Sequence, residues 1–232
     1  MTRSTIGTEA ANERRGRSSP ASTAQSFFDD FDATNQGVPN NWALFSGLAT
    51  DVNEMPMDLT LTDSTGNSAG IYSTLPSSVF QPATVATSIQ AQINSVSPSP
   101  VGNAICGLLG LPDSAGPTGY LAAGIDANGV VFIVEQQQKP KISQTIVPIG
   151  QVANYNAGQI VLTLTITSTG VVVSAGAFNS GEISFSKDLN NFSLNAAFGN
   201  GAVPALVGAS QPNQKGGSAT FASIGVCTVS GG

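Results

Sequence analysis

The chain reads as short runs of alternating apolar and polar residues, interrupted every ~8–12 residues by turn formers. In residues 57–63, Met57, Leu59 and Leu61 fall on one side and Thr60 and Thr62 on the other. A period of two is the mark of a strand with one face buried. The same pattern puts Trp42, Leu44 and Ser46 on one face of a strand, and Val85, Thr87 and Ile89 on one face of another. It continues through 159–168, QIVLTLTITS. The patterned region opens with SFFDDFD at 26–32, a first strand with Phe27 and Phe31 opposite Phe28. Asp126-Ala127-Asn128-Gly129 parts two strand-like runs, and Thr169-Gly170 parts two more; both are hairpin signals. Shorter runs at 68–74, 143–149, 182–186, 191–198 and 217–229 bring the expected count to about twelve to fourteen strands. Residues 103–109 read equally as a strand or a short buried helix, and 75–80 as a turn. No fixed repeat runs along the chain, which argues against a propeller or solenoid. The pattern predicts an all-β domain: antiparallel strands in a two-sheet β-sandwich.

Residues 1–24 break the pattern. They are rich in Ser, Thr, Ala and Arg with one isolated Ile, too little apolar surface to offset the cost of ordering. They are expected to form a disordered basic N-terminal arm, and 25–232 a single β-sandwich domain. Charge sharpens this division. The 232-residue chain is only 9% charged, with a formal net charge of -6, against a typical ~25% charged residues. Arg3, Arg14, Arg15 and Arg17 lie in the arm; from residue 25 on there are four lysines and twelve acids, a formal -8. That excludes a phosphate-backbone footprint on the folded part, so no nucleic-acid partner is expected there. No apolar run reaches the ~18 residues of a membrane helix, so no membrane insertion is expected. The first twenty residues carry no apolar core of a secretory signal.

There is no His, which removes Ser-His-Asp and Cys-His catalysis, the His-ligated zinc site and the imidazole proton shuttle. The two cysteines, Cys106 and Cys227, read either as separate buried thiols or as one disulfide.

Several pieces together are similar to the concanavalin A-like lectin/glucanase jelly rolls, including laminin-G-like domains. They are Phe28-Asp29-Asp30-Phe31 followed by Pro39 and Trp42; the strand pair from Ala104 to Glu135 through Gly119-Tyr120 and Asp126 to Gly129; the Leu162–Ile166 strand turning into Val171-Val172-Val173-Ser174; and the closing strand Ala219–Val226. The likeness spans residues 26–229. It implies a jelly-roll sandwich whose first and last strands pair, with Phe28 and Val226 near neighbours. The chain departs from the glucanase branch in lacking the E-x-D-x-E or E-x-D-x-x-E strand, and from the legume-lectin branch in lacking a His ligand for paired metals. Retaining hydrolysis needs two carboxyls ~5–5.5 Å apart. The expectation is therefore that this chain is not an enzyme.

The candidate sites follow. Asp29, Asp30 and Asp32 are the densest carboxylate group: a calcium site, since that ion takes hard oxygen ligands, or simply a solvated edge. Trp42, the only tryptophan, reads as a core plug. Tyr72, Tyr120 and Tyr155 are the candidate platforms for a sugar ring, with Asn154 and Asn156 beside Tyr155 to bind hydroxyls. Each tyrosine has the plainer alternative of a half-buried sheet residue.

The leading functional expectation is a non-catalytic, lectin-like module binding glycan or polysaccharide at a cell or particle surface, with extracellular, cell-surface or virion placement. One alternative is a structural or interaction protein of an extracellular or phage assembly, with neighbouring subunits, including copies of itself, as partners. Another is an atypical polysaccharide-active enzyme using Glu135, Glu182 or Asp126.

Overall fold

A computed structural model describes residues 25–111, 118–137, 143–177 and 182–229. The arm expected at 1–24 lies outside the described residues. Two antiparallel sheets pack face to face. One runs in the order β14-β13-β12-β7-β16-β5-β4-β2, with β1 also paired to β16. These are β1 (Ser26–Asp29), β2 (Asn35–Gln36), β4 (Val52–Met55), β5 (Asp58–Thr62), β7 (Thr87–Val96), β12 (Ile160–Ile166), β13 (Gly170–Ala177), β14 (Ile183–Asp188) and β16 (Ser218–Thr228). The other runs β11-β10-β9-β8-β15-β6-β3. Its strands are β3 (Trp42–Ser46), β6 (Ala69–Ser73), β8 (Gly102–Gly110), β9 (Gly119–Asp126), β10 (Val130–Gln137), β11 (Ser143–Gln151) and β15 (Ala202–Ser210). The all-β sandwich read from the alternation is the architecture found.

The last strand is long enough to hold two partners on one edge. Ser218–Phe221 of β16 pairs with β5, and Ile224–Cys227 with β1. First and last strands thus meet, with Phe27 opposite Val226 and Phe28 opposite Gly225. The hairpin at 126–129 forms as its composition demands. Gly129 takes φ +82, which an L side chain rarely adopts, and Asp126 Oδ1 accepts from the amides of Asn128 and Val130 at 2.8 and 2.9 Å.

The core between the sheets draws on both. Leu59, Leu61, Ile89, Ile93, Leu162 and Leu164 face Ile71, Leu108, Leu121, Ile125 and Ile133 across it, all fully buried. Trp42 is buried against Phe27 and Phe31, ring centroids 6.1 and 5.8 Å away, and plugs the end of this core. Cys106 is buried in the core as a free thiol, its pKa pushed up to about 12 by burial; Cys227 is also free but exposed, not buried as expected.

Three local expectations change and one open reading is settled. Met57 does not continue the buried face of Leu59 and Leu61: it occupies the β4–β5 turn with φ +65 and is exposed. Val85 likewise precedes β7 and is exposed. Residues 103–109 are a strand, buried on both faces. Leu194–Phe198 is a short helix, α1, and not a strand; the Ser193 hydroxyl caps it by accepting from the Ala196 amide at 3.2 Å. β15 went unpredicted; it lies between β8 and β6, with Pro204 inside it.

Candidate functional site

The seven-stranded sheet has a second apolar face, turned away from the main core. Alternation puts Leu121, Ala123 and Ile125 of β9 inward and Tyr120, Ala122 and Gly124 outward. Register aligns the outward residues into rows across the sheet: Val203, Leu109, Tyr120, Gln136 and Gln144 form one, and Ala205, Gly107, Ala122, Val134 and Ile146 the next. Ile105, Leu109, Tyr120, Phe132, Val134, Val203 and Val207 on this side are all buried, as a cluster separate from the main core.

An outward face is buried when the sheet curls around it. The rings show the curl. Phe45 and Tyr120 meet at a centroid distance of 5.9 Å, yet their strands stand four places apart in the order β3-β6-β15-β8-β9. At ~4.8 Å per strand a flat sheet would hold those strands ~19 Å apart. The face is therefore concave, and aromatic side chains reach across the hollow. Phe45 also touches Tyr72, at 6.4 Å. Glycines let the rings lie close to the sheet: a Cβ on Gly70 would come within 2.7 Å of the Phe45 ring, and one on Gly124 within 2.4 Å of Phe132.

What remains open is a cleft of ≈ 260 Å³, with Phe45 and Tyr120 in its wall and Ile105, Val134 and Val207 among its floor residues. Gln136, Gln144, Ile146, Asn67 and Ser68 line its rim. The Tyr120 hydroxyl is buried and has no hydrogen-bond partner, the one such side-chain atom among the described residues. A buried donor left unmade costs about 1–3 kcal/mol, which a ligand oxygen would recover. Burial first, and the Cys106 thiol second, push its pKa well above the usual phenol value, so it stays protonated as a donor.

Asp63 is the one charged residue lining the cleft among those described. Its Oδ1 accepts from the amides of Gly66 and Asn67 at 2.6 and 3.0 Å, and its Oδ2 from the Ser210 amide at 3.1 Å. Burial works against its charge, but hydrogen bonds from the Ser210 hydroxyl and from the Gly66, Ser68 and Ser210 amides outweigh it and hold the carboxyl below its ordinary value. Asp63 thus ties the 63–68 turn to the end of β15 and shapes the rim.

The sequence-derived candidates divide. Tyr72 and Tyr120 come together here, joined by Phe45. Tyr155 does not: it packs on the main core beside Gly129 and donates its hydroxyl to the Gly158 carbonyl at 2.9 Å. Asn154 and Asn156 are exposed in the same loop. Asp29 uses both oxygens, Oδ2 accepting from Trp42 Nε1 at 2.8 Å and Oδ1 from the Phe31 amide at 2.9 Å. Asp30 and Asp32 are exposed, and no group of three or more His, Cys, Asp or Glu is gathered for a metal among the described residues. Of the alternative acids, Asp126 caps its hairpin and accepts from Gln211 Nε2 at 3.3 Å, Glu135 forms an ion pair with Lys187 across the two sheets, and Glu182 is exposed. Phe45 was missed by the sequence reading. Its signal was there, an aromatic on the face of β3 opposite Trp42 and Leu44.

A larger depression of ≈ 530 Å³ lies by β4, lined by Gly37, Ala49, Thr50, Val52 and Asn53 among the described residues. Among the described residues its lining offers no ring to stack on and no unsatisfied polar group.

No family model matches the chain, and no curated protein matches it in sequence. Solved structures do match in shape. A GH16 protein from a Bacteroides ovatus mixed linkage glucan locus, in complex with a G4G4G3G product, superposes with a TM-score of 0.59 at 14% identity, over 88% of this chain and 99% of that one. An endo-1,3-β-glucanase of Streptomyces sioyaensis gives 0.55 at 14%, over 93% and 100%. The fold is the concanavalin A-like jelly roll. The CBM2 module of the evolved Dit of Lactobacillus casei BL23 phage J-1 shares it, at 0.55 and 12%, over 90% and 99%. Against the GH43B protein of a Bacteroides ovatus xyloglucan locus the chain spans only 39% of the partner's length.

These likenesses overturn one expectation. The chain was expected not to be an enzyme, from its missing acid strand and missing His, but the structures sharing its jelly roll are mostly glycoside hydrolases. The missing motif separates this chain from one catalytic pattern and does not separate it from enzymes as a class. No helix among the described residues is long and apolar enough to cross a membrane.

Proposed function

We propose that this chain recognises a glycan or polysaccharide in the hollow of its seven-stranded sheet. The observation that carries the reading is the buried, unpartnered Tyr120 hydroxyl in a cleft walled by Phe45 and rimmed by Gln136, Gln144 and Asn67. Sugars present apolar C–H faces and a fringe of hydroxyls, so a ring to stack on and neutral donors and acceptors at the edge are the matching chemistry. The low charge of the domain suits an uncharged polymer. The fold's occurrence in glucan-acting proteins and in a phage CBM2 module supports a carbohydrate partner and a setting outside the cell or on a particle.

Isothermal calorimetry of the full chain against a panel of neutral poly- and oligosaccharides tests this. Binding is expected, and Tyr120→Phe weakens it about five- to tenfold, the worth of one hydrogen bond. Absence of binding across the panel, or equal binding by Tyr120→Phe, overturns it. The same mixtures assayed for new reducing ends report whether recognition leads to cleavage.

A further inference from the structure

The outer face of the nine-stranded sheet lies on the side of the sandwich away from the cleft, and it has features of its own. We propose that this face is a second binding site, for a neutral polysaccharide laid across the strands from Phe28 on β1 towards Glu182 beside β14. The proposal shares with the reading above only the class of ligand, and it stands or falls without the cleft.

Three observations carry it. The first is a row set by register. Phe28 lies opposite Gly225, Gly225 opposite Gln90, Gln90 opposite Thr163, Thr163 opposite Ser174, and Ser174 opposite Ser184. Their chain neighbours Phe27, Ile89, Leu164 and Val173 belong to the main core, so the row faces out. Five strand spacings of ~4.8 Å make it ~24 Å long, room for several linked sugar rings.

The second is charge. β7, β12, β13 and β16 contain no charged residue, although alternate residues of each face solvent. A surface that had only to stay soluble would carry interspersed Lys, Arg, Glu and Asp. This one offers amide and hydroxyl groups, which can both donate and accept. They match a neutral, hydroxyl-rich chain and give an anionic one no cation to pair with.

The third is relief. Phe28 is 68% exposed, and its neighbour in the row is Gly225, which brings no side chain against the ring. The ring is open to the C–H face of a sugar. Further along the row lies a depression lined by Gln90, Thr163, Ser174 and Glu182 among the described residues. Gln90 Nε2 donates to Thr163 Oγ1 at 3.3 Å, which orients the amide beside it. At its far end the Glu182 carboxylate is an acceptor for sugar hydroxyls.

Cys227 gives the test a handle. It is an exposed free thiol in the next outward row, opposite Ser26 and Ser88, whereas Cys106 is buried. The full chain is mixed with insoluble β-1,3-glucan or cellulose, and retention is measured by depletion, with and without a bulky maleimide on Cys227. Retention is expected on at least one of the two polymers, falling about tenfold in the labelled chain. Phe28→Ala is expected to weaken it about fivefold, the worth of one stacking ring, and Gln90→Ala about threefold. Tyr120→Phe leaves retention unchanged, and the label leaves calorimetric binding of soluble oligosaccharides at the cleft unchanged. Equal retention of the labelled chain, Phe28→Ala and the unmutated protein overturns the outer site and leaves the cleft standing. Loss in Phe28→Ala but not in Tyr120→Phe supports the outer site even where the cleft fails. No retention on either polymer overturns it. A dimer that light scattering shows to be split by the label or by Phe28→Ala, with no retention, makes the face an interface between copies and overturns it as well. The labelling arm uses the unmutated chain, so it decides the matter even if a variant does not fold.

Discussion

The two outward faces of this sandwich are built from the same kind of strand and behave in opposite ways. On the nine-stranded sheet, outward hydroxyl and amide side chains are tied in cross-strand pairs, Thr60 with Thr220 at 3.0 Å, Ser88 with Thr165 at 3.2 Å and Gln90 with Thr163 at 3.3 Å, while Phe28 and Val172 on the same face stay exposed. That face is wet, with a depression of ≈ 150 Å³ lined by Gln90, Val161, Thr163 and Glu182. On the seven-stranded sheet, the outward Ile105, Leu109, Tyr120, Phe132, Val134, Val203 and Val207 form a second buried cluster where the sheet curls. An outward apolar row makes curvature favourable because bending removes it from water; an outward hydroxyl row gains nothing by bending. The cleft is a by-product of that curl.

Four measurements break or sharpen the contrast. The largest effect is expected from Phe132→Ala. If the concave face is a second core, the loss is about 3–5 kcal/mol, as for any buried Phe; a urea midpoint shift worth less than ~1 kcal/mol would mean the face is an ordinary surface. Next is Gly124→Ala. The new Cβ would sit 2.4 Å from the Phe132 ring, so the ring must move, at a cost of about 1–3 kcal/mol. Pairing the two changes separates ring displacement from backbone strain, since Gly124→Ala becomes milder once Phe132 is Ala.

Asp63 gives the third. Its folded carboxyl titrates below the ordinary value of 3.8, so the stability it contributes is complete above that pH and is lost as pH falls through the lower folded value. Asp63→Asn is expected to cost about 1–3 kcal/mol at pH 6, with the gap to the unmutated chain closing in strong acid. A gap independent of pH would place the loss in packing and not in the charge. The smallest effect is expected from Thr163→Ala on the wet face. It removes one exposed hydrogen bond and some strand preference, under about 1 kcal/mol in the same denaturation assay, with no change in sugar binding at the cleft.

Much of the fold was legible along the chain because alternation is local. Leu59 and Leu61 announced a buried face, Asp126 to Gly129 announced a hairpin, and Trp42 read correctly as a plug. Where signals conflicted, the sequence misled. The strand at 202–210 was passed over, Met57 continued a pattern whose backbone had already turned, and the Ser193 cap went unread ahead of α1. The site was legible only in part. Tyr72 and Tyr120 could be named as sugar-binding candidates, but Tyr155 and its two asparagines looked equally suitable, and Phe45 drew no notice. Nothing in Asn154-Tyr155-Asn156 reveals that the ring faces the main core.

By itself, the sequence determined the class of structure: antiparallel strands, their approximate limits, a sparsely charged and net acidic body, and the absence of imidazole chemistry. These follow from composition and from a period of two, both readable within a few residues. Only the tertiary structure decided that one sheet curls, that Phe45 reaches across three intervening strands to Tyr120, and that a phenol is left buried without a partner. Those outcomes depend on register and curvature summed over strands distant in the chain, and no local window contains them.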